Sequence, residues 1–485
     1  MDRSESPAVV WFRRDLRLSD NPALEAALAA GGPVIPVFIE SLREDSPWAA
    51  GAASRWWLHH SLAALDQSLR ARGSRLILRS GPSIRCLWEL AGECGAAGVY
   101  WNRGYEPKVA AQDAAVKSEL VSRGLNTGIF NGSVLFDPSA VRNSSGGPFR
   151  VFTPFWRACL SSPLRPHAPG QSRAELSPPR RWPRSLALQH LRLTPAPDWA
   201  AGLRQAWEPG EEGARGRLEQ FVRGALSGYP RRRELPAVQG TSRLSPHLHF
   251  GEISPHAVWH GIKDAVAETD DPGLRKAGEA FLRQLGWREF ACYILASVPE
   301  SDQEPLRAYF RGFPWRRSAR ELRAWQHGKT GYPFVDAGMR ELWTTGWMHN
   351  RVRMVVASFL TKDLLLPWIE GARWFWDTLV DADLANNAFG WQWTAGCGAD
   401  AAPYFRVFNP VSQGERFDRK GDYIRRWVPE LAGLPAQWIH KPWQAPAAIL
   451  RGSGIMLGKD YPKPIVDHAE ARARALAAYR SLRES

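Results

Sequence analysis

The chain has 485 residues, 44% of them hydrophobic, and a formal net charge of +14 at pH 7. This length predicts two or perhaps three domains. The charge favours a polyanionic partner, nucleic acid first, although a basic enzyme without such a partner stays open. Five unpaired, widely spaced cysteines argue against a disulfide framework, a zinc ribbon and an iron–sulfur cluster. We expect a cytoplasmic protein, since neither a signal region nor an apolar run of about 18 residues is present.

Short β-rich runs alternate with helical patterns over the first 130 residues. Helices are predicted at about 22–30, 55–72, 83–94 and 108–123. This alternation predicts a parallel sheet covered by helices on both faces. No G-x-G-x-x-G motif follows the first strand, so the usual dinucleotide site is not indicated. The runs predicted as buried strands are AVVWF (8–12), PVIPVFI (33–39), RLILRS (75–80), GVYWN (98–102) and TGIFN (127–131).

The composition changes twice after the predicted sheet. Residues from about 160 to 205 are rich in Pro, Ser and Arg and predict a long, solvated connector. From about residue 206 the strand signal disappears and helical patterns continue to the end, which predicts an all-α domain. In that half, GKTG (328–331) fails the phosphate-loop pattern because position 323 is arginine. No metal site is predicted, since the histidines lack a matching ligand pattern.

The segment DADLANNAFGWQW (381–393) combines acids, amides and indoles without a serine, cysteine or histidine nucleophile. We expect Asp381 to pair with Arg353, because a buried arginine needs a carboxylate. One asparagine of the Asn-Asn pair can then meet a ligand nitrogen as donor or acceptor. In the preceding helical pattern, Asn350 and Met354 lie one turn apart, close to Arg353. Such a set suits redox chemistry that a bound cofactor carries.

Two further segments share this polar and aromatic character. In FLRQLGWREF (281–290), helical spacing places Gln284, Trp287 and Arg288 on one face. An amide, an indole and a guanidinium on one face predict a wall for a flat heteroaromatic ring with hydrogen-bonding groups. TSRLS (241–245) groups hydroxyls around an arginine before a helical run, which offers donors to a phosphate. In isolation a helix-capping segment is the preferred interpretation of TSRLS.

At these motifs the chain resembles the DNA photolyase/cryptochrome family, most closely the class I photolyases that repair cyclobutane pyrimidine dimers. The resemblance runs through nearly the whole chain. It is carried by VWFRRDLRLSDNPAL (10–24), VFTPFWRA (151–158), LPAVQGTSRLSPHL (235–248), WREF, GKTGYPFVDAGMR, TGWMHNRVRM and GWQWTAGCGADAAPYFRVFNP (390–410).

The resemblance implies a particular domain organisation and activity. It implies a Rossmann-like α/β domain over 1–131, a linker over 132–205 and a helical FAD- and lesion-binding domain over 206–485. It also implies an FAD-dependent deoxyribodipyrimidine photo-lyase, in which light drives an electron from reduced flavin to the dimer and back. UV-damaged DNA is the expected partner, reached by flipping the lesion out of the duplex. A monomer is expected from the family analogy.

Site residues transfer by position from the family to this chain. Those matching phosphate contacts are Tyr229, Thr241, Ser242, Leu244 and Ser245, and those around the flavin and adenine are Arg288, Asn350, Arg353, Asp381 and Asp383. Asn387 matches the residue that faces flavin N5. The electron relay falls on Trp391, Trp368 and Trp315. Lesion and DNA contacts fall on Trp287, Trp393, Asn350, Met354, Arg233 and Arg351.

The family pattern breaks at the lesion contact and at the antenna. Gln284 stands where class I photolyases have a glutamate, and glutamine there resembles (6–4) photolyases and animal cryptochromes. Those proteins, however, carry histidines where this chain has Asn350 and Met354. Dimer repair is therefore the first prediction, with (6–4) repair as an alternative.

A cryptochrome-like photoreceptor without repair is a further alternative, and it loses weight because a long C-terminal extension is missing. A nucleotide-binding α/β protein with an unrelated helical domain would not explain the ordered motifs. Glu106 matches a folate-contacting glutamate, but the family's cysteine–lysine pair falls on Ser301 and Asp302. A folate antenna, a flavin-type antenna and no antenna all stay open.

Overall fold

The computed structural model describes residues 6–41, 48–165, 175–401 and 405–484. Within them, no helix is long and apolar enough to cross a membrane. The domain boundaries at residues 131 and 205 stay a prediction. The backbone falls into two compact units, unit 1 drawn from Met1–Phe149, Thr153–Gly224 and Ser242–Pro299 and unit 2 from Arg150–Phe152, Ala225–Thr241 and Glu300–Ser485.

Unit 1 contains a five-stranded parallel sheet with strand order β3-β2-β1-β4-β5. The chain leaves β1 toward β2 and later returns to its other side as β4, so the order reverses between β1 and β4. All five strands fall where they were predicted, within a residue or two. The predicted Rossmann-like α/β fold is thereby confirmed. The strands are β1 (Ala8–Phe12), β2 (Val34–Glu40), β3 (Ile77–Ser80), β4 (Gly98–Asn102) and β5 (Asn126–Phe130).

The central strand β1 is apolar and buried throughout, and its neighbours β2 and β4 are mostly so, because helices cover both faces of the sheet. In the centre, Trp11 of β1 and Trp101 of β4 pack at 6.0 Å between ring centroids, and both side chains are buried. The helices before residue 300 are α1 (Pro22–Ala29), α2 (Ala52–Arg70), α3 (Ser83–Cys94), α4 (Pro107–Ser122), α5 (Phe152–Leu160), α6 (Ala201–Ala206), α7 (Glu211–Gly224), α8 (Tyr229–Arg232), α9 (Ser245–His249), α10 (Pro255–Ala267) and α11 (Pro272–Ser297). All of them lie in unit 1 except α8 and the first residue of α5.

A buried arginine ties distant parts of unit 1 together. The guanidinium of Arg17 donates hydrogen bonds to the backbone carbonyls of Asp20, Gly132 and Gly251 at 2.7–3.2 Å. The next residue, Glu252, accepts a 2.9 Å hydrogen bond at its carboxylate from the indole of Trp57 on α2. Residues around 250 therefore complete the polar interior of the unit that holds the sheet.

The Pro-, Ser- and Arg-rich connector is only partly described, and residues 166–174 lie outside the described residues. Over residues 175–187 it has no regular secondary structure, as predicted. Most of these residues are exposed, in line with the predicted solvated connector, but part of the segment also bonds the sheet. Leu78 in edge strand β3 donates from its backbone N to Ser185 Oγ (2.9 Å) and accepts from Leu186 N (2.9 Å). The connector thus covers a sheet edge that would otherwise expose backbone hydrogen-bonding groups.

Unit 2 is helical, as the all-α pattern predicted. Its GKTG segment is closed by a carboxylate, since Asp336 accepts hydrogen bonds from Thr330 N (2.7 Å), Gly331 N (3.0 Å) and the Tyr461 hydroxyl (2.6 Å). A π-helical segment, Phe359–Asp363, follows α14. The remaining helices are α12 (Ala319–Gln326), α13 (Pro333–Thr345), α14 (Asn350–Ser358), α15 (Trp368–Thr378), α16 (Leu384–Ala395), α17 (Pro410–Phe417), α18 (Asp422–Trp427), α19 (Ala436–Ile439), α20 (Ala447–Gly452) and α21 (His468–Glu484).

Candidate functional site

Helix α16 of unit 2 carries the acid, amide and indole segment. Its N-cap is Asp383, whose Oδ1 accepts hydrogen bonds from Asn386 N (2.9 Å) and Asn386 Nδ2 (2.6 Å). It ends at Gly396, whose φ of 93° is left-handed and favours glycine. These two ends fix the register of the side chains between them.

Asp381 and Arg353 form the ion pair that the sequence predicted. Nη2 of Arg353 lies 2.8 Å and 3.0 Å from the two carboxylate oxygens of Asp381, and its Nε donates to the Met348 carbonyl at 2.8 Å. The Asp381 side chain is only 4% exposed and that of Arg353 24%. A buried carboxylate in this position depends on its cation, so the pair joins the loop before α16 firmly to α14.

Asn387 is held in one orientation by the backbone of α15. Its side-chain Nδ2 donates a 2.9 Å hydrogen bond to the Ala372 carbonyl, and the residue is buried. This bond uses one of the amide's donors and fixes which way its oxygen points. An amide with a fixed orientation can discriminate between donors and acceptors on a ligand.

One face of α16 is left partly open in unit 2. Asp383, Asn386, Gly390 and Trp393 recur at near-helical spacing and are at least partly exposed, whereas most residues between them are buried. A Cβ placed on Gly390 would have no heavy atom within 4 Å, apart from the helix's own backbone and its chain neighbours. The face therefore offers polar groups beside free space.

The structure does not bring the three predicted relay tryptophans into ring contact. Among the described residues, the rings beside Trp391 are Phe375 (centroids 5.0 Å apart) and Trp325 (6.1 Å). Trp315 contacts Phe313 at 4.4 Å, and Trp368 is buried at the start of α15. The Nε1 atom of Trp391 is buried and has no hydrogen-bond partner in the described part of the chain. The relay stays a prediction.

Helix α14 places Asn350, Arg353 and Met354 three and four residues apart, on one face as predicted, and all three are at least partly exposed. His349, immediately before this helix, is buried and caps it, because its Nδ1 accepts from Arg351 N at 3.2 Å. Burial lowers the pKa of His349 to about 4. The imidazole is therefore neutral at pH 7.

Glu234, which was not predicted as a site residue, pairs with both Arg233 and Arg351, the two arginines predicted to contact DNA. Its Oε2 lies 2.7 Å from Nε of Arg351 and also bonds Nη2 of that residue. Its Oε1 lies 3.3 Å from Nε of Arg233. The one available signal was local, an acid directly after the run Arg231 to Arg233.

In unit 1, Gln284, Trp287 and Arg288 share a partly exposed face of α11, as predicted, while the neighbouring positions 285 and 286 are buried. Gln284 Nε2 lies 3.4 Å from the carbonyl four residues earlier, and Arg288 bonds Glu289 at 3.1 Å. Glu289 is buried and also accepts from two backbone amides, at positions 135 and 136. Burial raises the pKa of Glu289 to about 7.

The residues matched to phosphate contacts divide between the units. Tyr229 and Thr241 lie in unit 2, whereas Ser242, Leu244 and Ser245 lie in unit 1. Tyr229 is buried, which raises the pKa of its hydroxyl to about 12.

The interpretation of TSRLS as a capping segment is wrong. Helix α9 has Leu244 at its N-cap and no side-chain cap bond. The arginine of the segment, Arg243, has a φ of +53° and lies over the Trp207 ring at 4.3 Å.

Glu106, the predicted antenna contact, lies in unit 1 at the N-terminal end of α4. Its carboxylate pairs with the guanidinium of Arg14, next to the end of β1. An antenna ligand would have to share this carboxylate with Arg14.

Comparison with known proteins matches two family models to the chain. Residues 8–173 match the DNA photolyase model, and residues 281–481 match the FAD binding domain of DNA photolyase. The second match includes α12 to α20, most of α11 and most of α21. It therefore contains Asp381, Arg353 and Asn387.

Similar proteins cover the full length. The deoxyribodipyrimidine photo-lyase of Agrobacterium fabrum is 51% identical over 100% of both chains. Cryptochrome-1 of Arabidopsis thaliana is 42% identical over 96% of this chain and 69% of its own length. The crystal structure of a class III photolyase from Agrobacterium tumefaciens superposes with a TM-score of 0.94 at 51% identity, covering 99% of this chain and 98% of that one. The chain therefore belongs to the DNA photolyase/cryptochrome family.

Proposed function

We propose that the protein repairs cyclobutane pyrimidine dimers in DNA under blue or near-ultraviolet light, with reduced FAD as its cofactor. The observation that carries the proposal is the α16 site, where Asp381, Arg353 and the oriented amide of Asn387 lie inside the segment matched by the FAD-binding model. The 51% identity to a photo-lyase over the full length supports the activity. The net charge of +14 suits a DNA substrate.

The donor set fits a flavin. The carboxylate of Asp381, the guanidinium of Arg353 and the amide of Asn387 complement a flat ring that has both donors and acceptors. When bound, reduced FAD supplies the light-released electron that splits the cyclobutane ring. The chain orients the ring through Asn387 and balances charge with Arg353, Asp381 and Asp383, while Arg288 lies near the adenine. Tyr229, Thr241, Ser242, Leu244 and Ser245 hold the phosphates.

The same proposal assigns DNA contacts to partly exposed residues. Trp287 and Trp393 pack on the flipped lesion, because indoles stack on bases without regard to sequence. Asn350 and Met354 line its approach, and Arg233 and Arg351 contact the backbone. The relay through Trp391, Trp368 and Trp315 delivers electrons that reduce oxidised flavin in light.

The state of His349 favours the cyclobutane dimer over the (6–4) product. A (6–4) repair mechanism needs a proton donor near the lesion. His349 is neutral at pH 7, since burial lowers its pKa to about 4, and its Nδ1 caps α14. The neighbouring Asn350 and Met354 carry no acid. Gln284 donates a hydrogen bond to a dimer but no proton.

The proposal is tested with the purified protein, reduced without oxygen and illuminated with oligonucleotides that carry one lesion each. Repair of the cyclobutane dimer alone supports the proposal. Repair of the (6–4) product alone overturns the choice of lesion and makes Gln284 the decisive residue. Repair of neither, with flavin bound and photoreducible, favours a photoreceptor without repair, the second candidate, which the 42% identity to a plant cryptochrome supports.

Gln284→Glu is expected to raise the quantum yield of dimer repair. A carboxyl group can donate a proton in addition to the hydrogen bond that the amide already donates, and we expect a gain of roughly twofold or more. Repair yield per absorbed photon is the measurement. Gln67→Glu, the same change on the exposed surface of α2, is the control and should have no effect. A lower yield in Gln284→Glu would show that the amide is preferred here.

Asn387→Asp is expected to make the midpoint potential of the bound flavin more negative. An ionised aspartate cannot donate the 2.9 Å bond that Asn387 gives to the Ala372 carbonyl, and its negative charge beside the flavin would disfavour the reduced form. We expect a shift of about 30 mV or more, as measured by spectroelectrochemistry. Asn409→Asp at the exposed N-cap of α17 is the matched control, because aspartate caps a helix as well as asparagine. An unchanged potential would remove Asn387 from its assigned role.

The subclass and the antenna belong to the same proposal. The solved relative with a TM-score of 0.94 is described as a class III photolyase, so we place this chain beside that protein rather than within class I. A second chromophore, folate or flavin in type, would bind near Glu106. Its absorption band in the purified protein decides between these types, and sedimentation analysis decides whether the protein is a monomer.

A further inference from the structure

Two arginines of unit 2, Arg233 and Arg351, flank the carboxylate of Glu234. Arg233 follows two exposed arginines at 231 and 232, and Arg351 opens helix α14. Glu234 reaches both guanidinium groups, and the side chains of Arg351, Glu234 and Arg233 are 18%, 27% and 28% exposed. The site is therefore open enough to meet a ligand.

Glu234 occupies the edge of Arg351 that a phosphate would use. Both Nε and Nη2 of this guanidinium donate to Oε2 of the carboxylate. This Nε and Nη2 edge is the fork with which arginine binds carboxylates and phosphates. Within the described residues, Nη1 has no protein acceptor. A phosphodiester that takes the fork must displace or share Glu234.

Arg351 has a second support besides Glu234. Its guanidinium lies over the Phe417 ring at 4.4 Å, and Arg416 lies over the same ring at 5.1 Å. Cation–π contacts of this kind hold a guanidinium without using its hydrogen-bond donors. Although burial alone would raise the pKa of Glu234, Arg351 and Arg233 outweigh it and lower that pKa below its usual value, so the carboxylate stays ionised.

We propose that Glu234 is a built-in competitor for DNA phosphate, which occupies the Arg351 fork in the free protein and weakens backbone binding to all DNA, damaged or not. This rests on the proposed function only in taking DNA as the ligand. Its consequence is a faster search, because undamaged sites vastly outnumber lesions and weak backbone binding shortens each encounter with them. The ratio of the affinities for damaged and undamaged DNA stays unchanged. The alternative role, a support that positions the arginines for phosphate, predicts the opposite sign.

Glu234→Gln tests the competitor. We expect undamaged duplex DNA to bind about three- to fivefold more tightly, the strength of one partly exposed ion pair. The slope of log affinity against log salt should steepen by about 0.9, the value for one more phosphate contact. Glu430→Gln is the matched control, since it removes the same charge from a pair with Arg340 of similar exposure, 24% and 25%. Glu430→Gln should leave the affinity for undamaged DNA and its salt slope nearly unchanged, because salt screens a distant charge.

A double-mutant cycle assigns the effect to the fork. In an Arg351→Ala background, Glu234→Gln should tighten binding much less, because only the 3.3 Å contact with Arg233 remains to be released. Weaker binding by Glu234→Gln, or equal effects of Glu234→Gln and Glu430→Gln, would overturn the proposal. Both measurements use undamaged DNA, so they stand whether or not dimers are repaired. Equal affinity of the wild-type protein for damaged and undamaged DNA would instead count against the proposed function.

Discussion

Replacing Arg353 with methionine is expected to destabilise the protein by about 3–5 kcal/mol and to abolish retention of FAD. The reason is the Asp381 carboxylate, whose side chain is 4% exposed and bonds Arg353 through both oxygens. Without its cation this carboxylate is a buried, uncompensated charge. Urea denaturation followed by tryptophan fluorescence measures the stability loss, and the visible absorption of the purified protein measures bound flavin.

Two variants show whether burial is the cause. Arg373→Met breaks an ion pair with Glu370 whose side chains are 54% and 40% exposed, and it should change stability by less than about 0.5 kcal/mol. Arg353→Met combined with Asp381→Leu removes both charges, and it should regain most of the stability but not the flavin. Wild-type stability in Arg353→Met alone would show that the pair contributes little to the fold.

Trp391→Phe is expected to block photoreduction of oxidised flavin while leaving repair by chemically reduced enzyme intact. Trp391 is the proposed first member of the relay, and phenylalanine is far harder to oxidise than tryptophan. The substitution removes no hydrogen bond, since Nε1 of Trp391 has no partner among the described residues. Flavin absorption during illumination with an external reductant gives the photoreduction rate. Repair of a dimer oligonucleotide after chemical reduction gives the repair activity.

Trp325→Phe is the matched control for this experiment. Trp325 is equally buried and its ring lies 6.1 Å from that of Trp391, but it is not on the proposed relay. It should retain photoreduction, although it loses the hydrogen bond from its Nε1 to the Val356 carbonyl and about 1 kcal/mol of stability. Photoreduction that survives in Trp391→Phe and fails in Trp325→Phe would mean that electrons follow the ring contacts instead of the predicted relay.

The sheet could be predicted from sequence because its central strand is buried on both faces and is therefore apolar without interruption, as Val9, Val10 and Trp11 show. The connector was harder. Its composition correctly predicts a lack of regular structure, but nothing in it indicates that Ser185 and Leu186 bond the edge strand at Leu78. One of these bonds uses the backbone N of Leu186 and the other uses one serine hydroxyl among several in the segment, so composition singles out neither.

In the candidate site, too, some contacts follow from the sequence and others do not. The pair between Asp381 and Arg353 follows from charge, since each residue needs the other when buried. The partner of Asn387 is a backbone carbonyl, which no side-chain pattern reveals. Glu234 lies 117 residues from Arg351 in the sequence. The adjacent run Arg231 to Arg233 indicates only a local counter-ion. Contacts of this kind become visible only once the chain has folded.

The hydrogen bonds of Arg17 and Trp57 have a consequence for synthesis on the ribosome. Unit 1 receives its last segment, Ser242–Pro299, only after residues 225–241 of unit 2 have been made. Until then the guanidinium of Arg17 lacks the Gly251 carbonyl, and the indole of Trp57 lacks Glu252. The strands of the sheet therefore emerge first but cannot reach their final packing as an independent nascent domain. A chain stopped near residue 205 would leave Arg17 without one of its hydrogen bonds and the Trp57 indole without its acceptor, and a stable isolated N-terminal fragment is not expected.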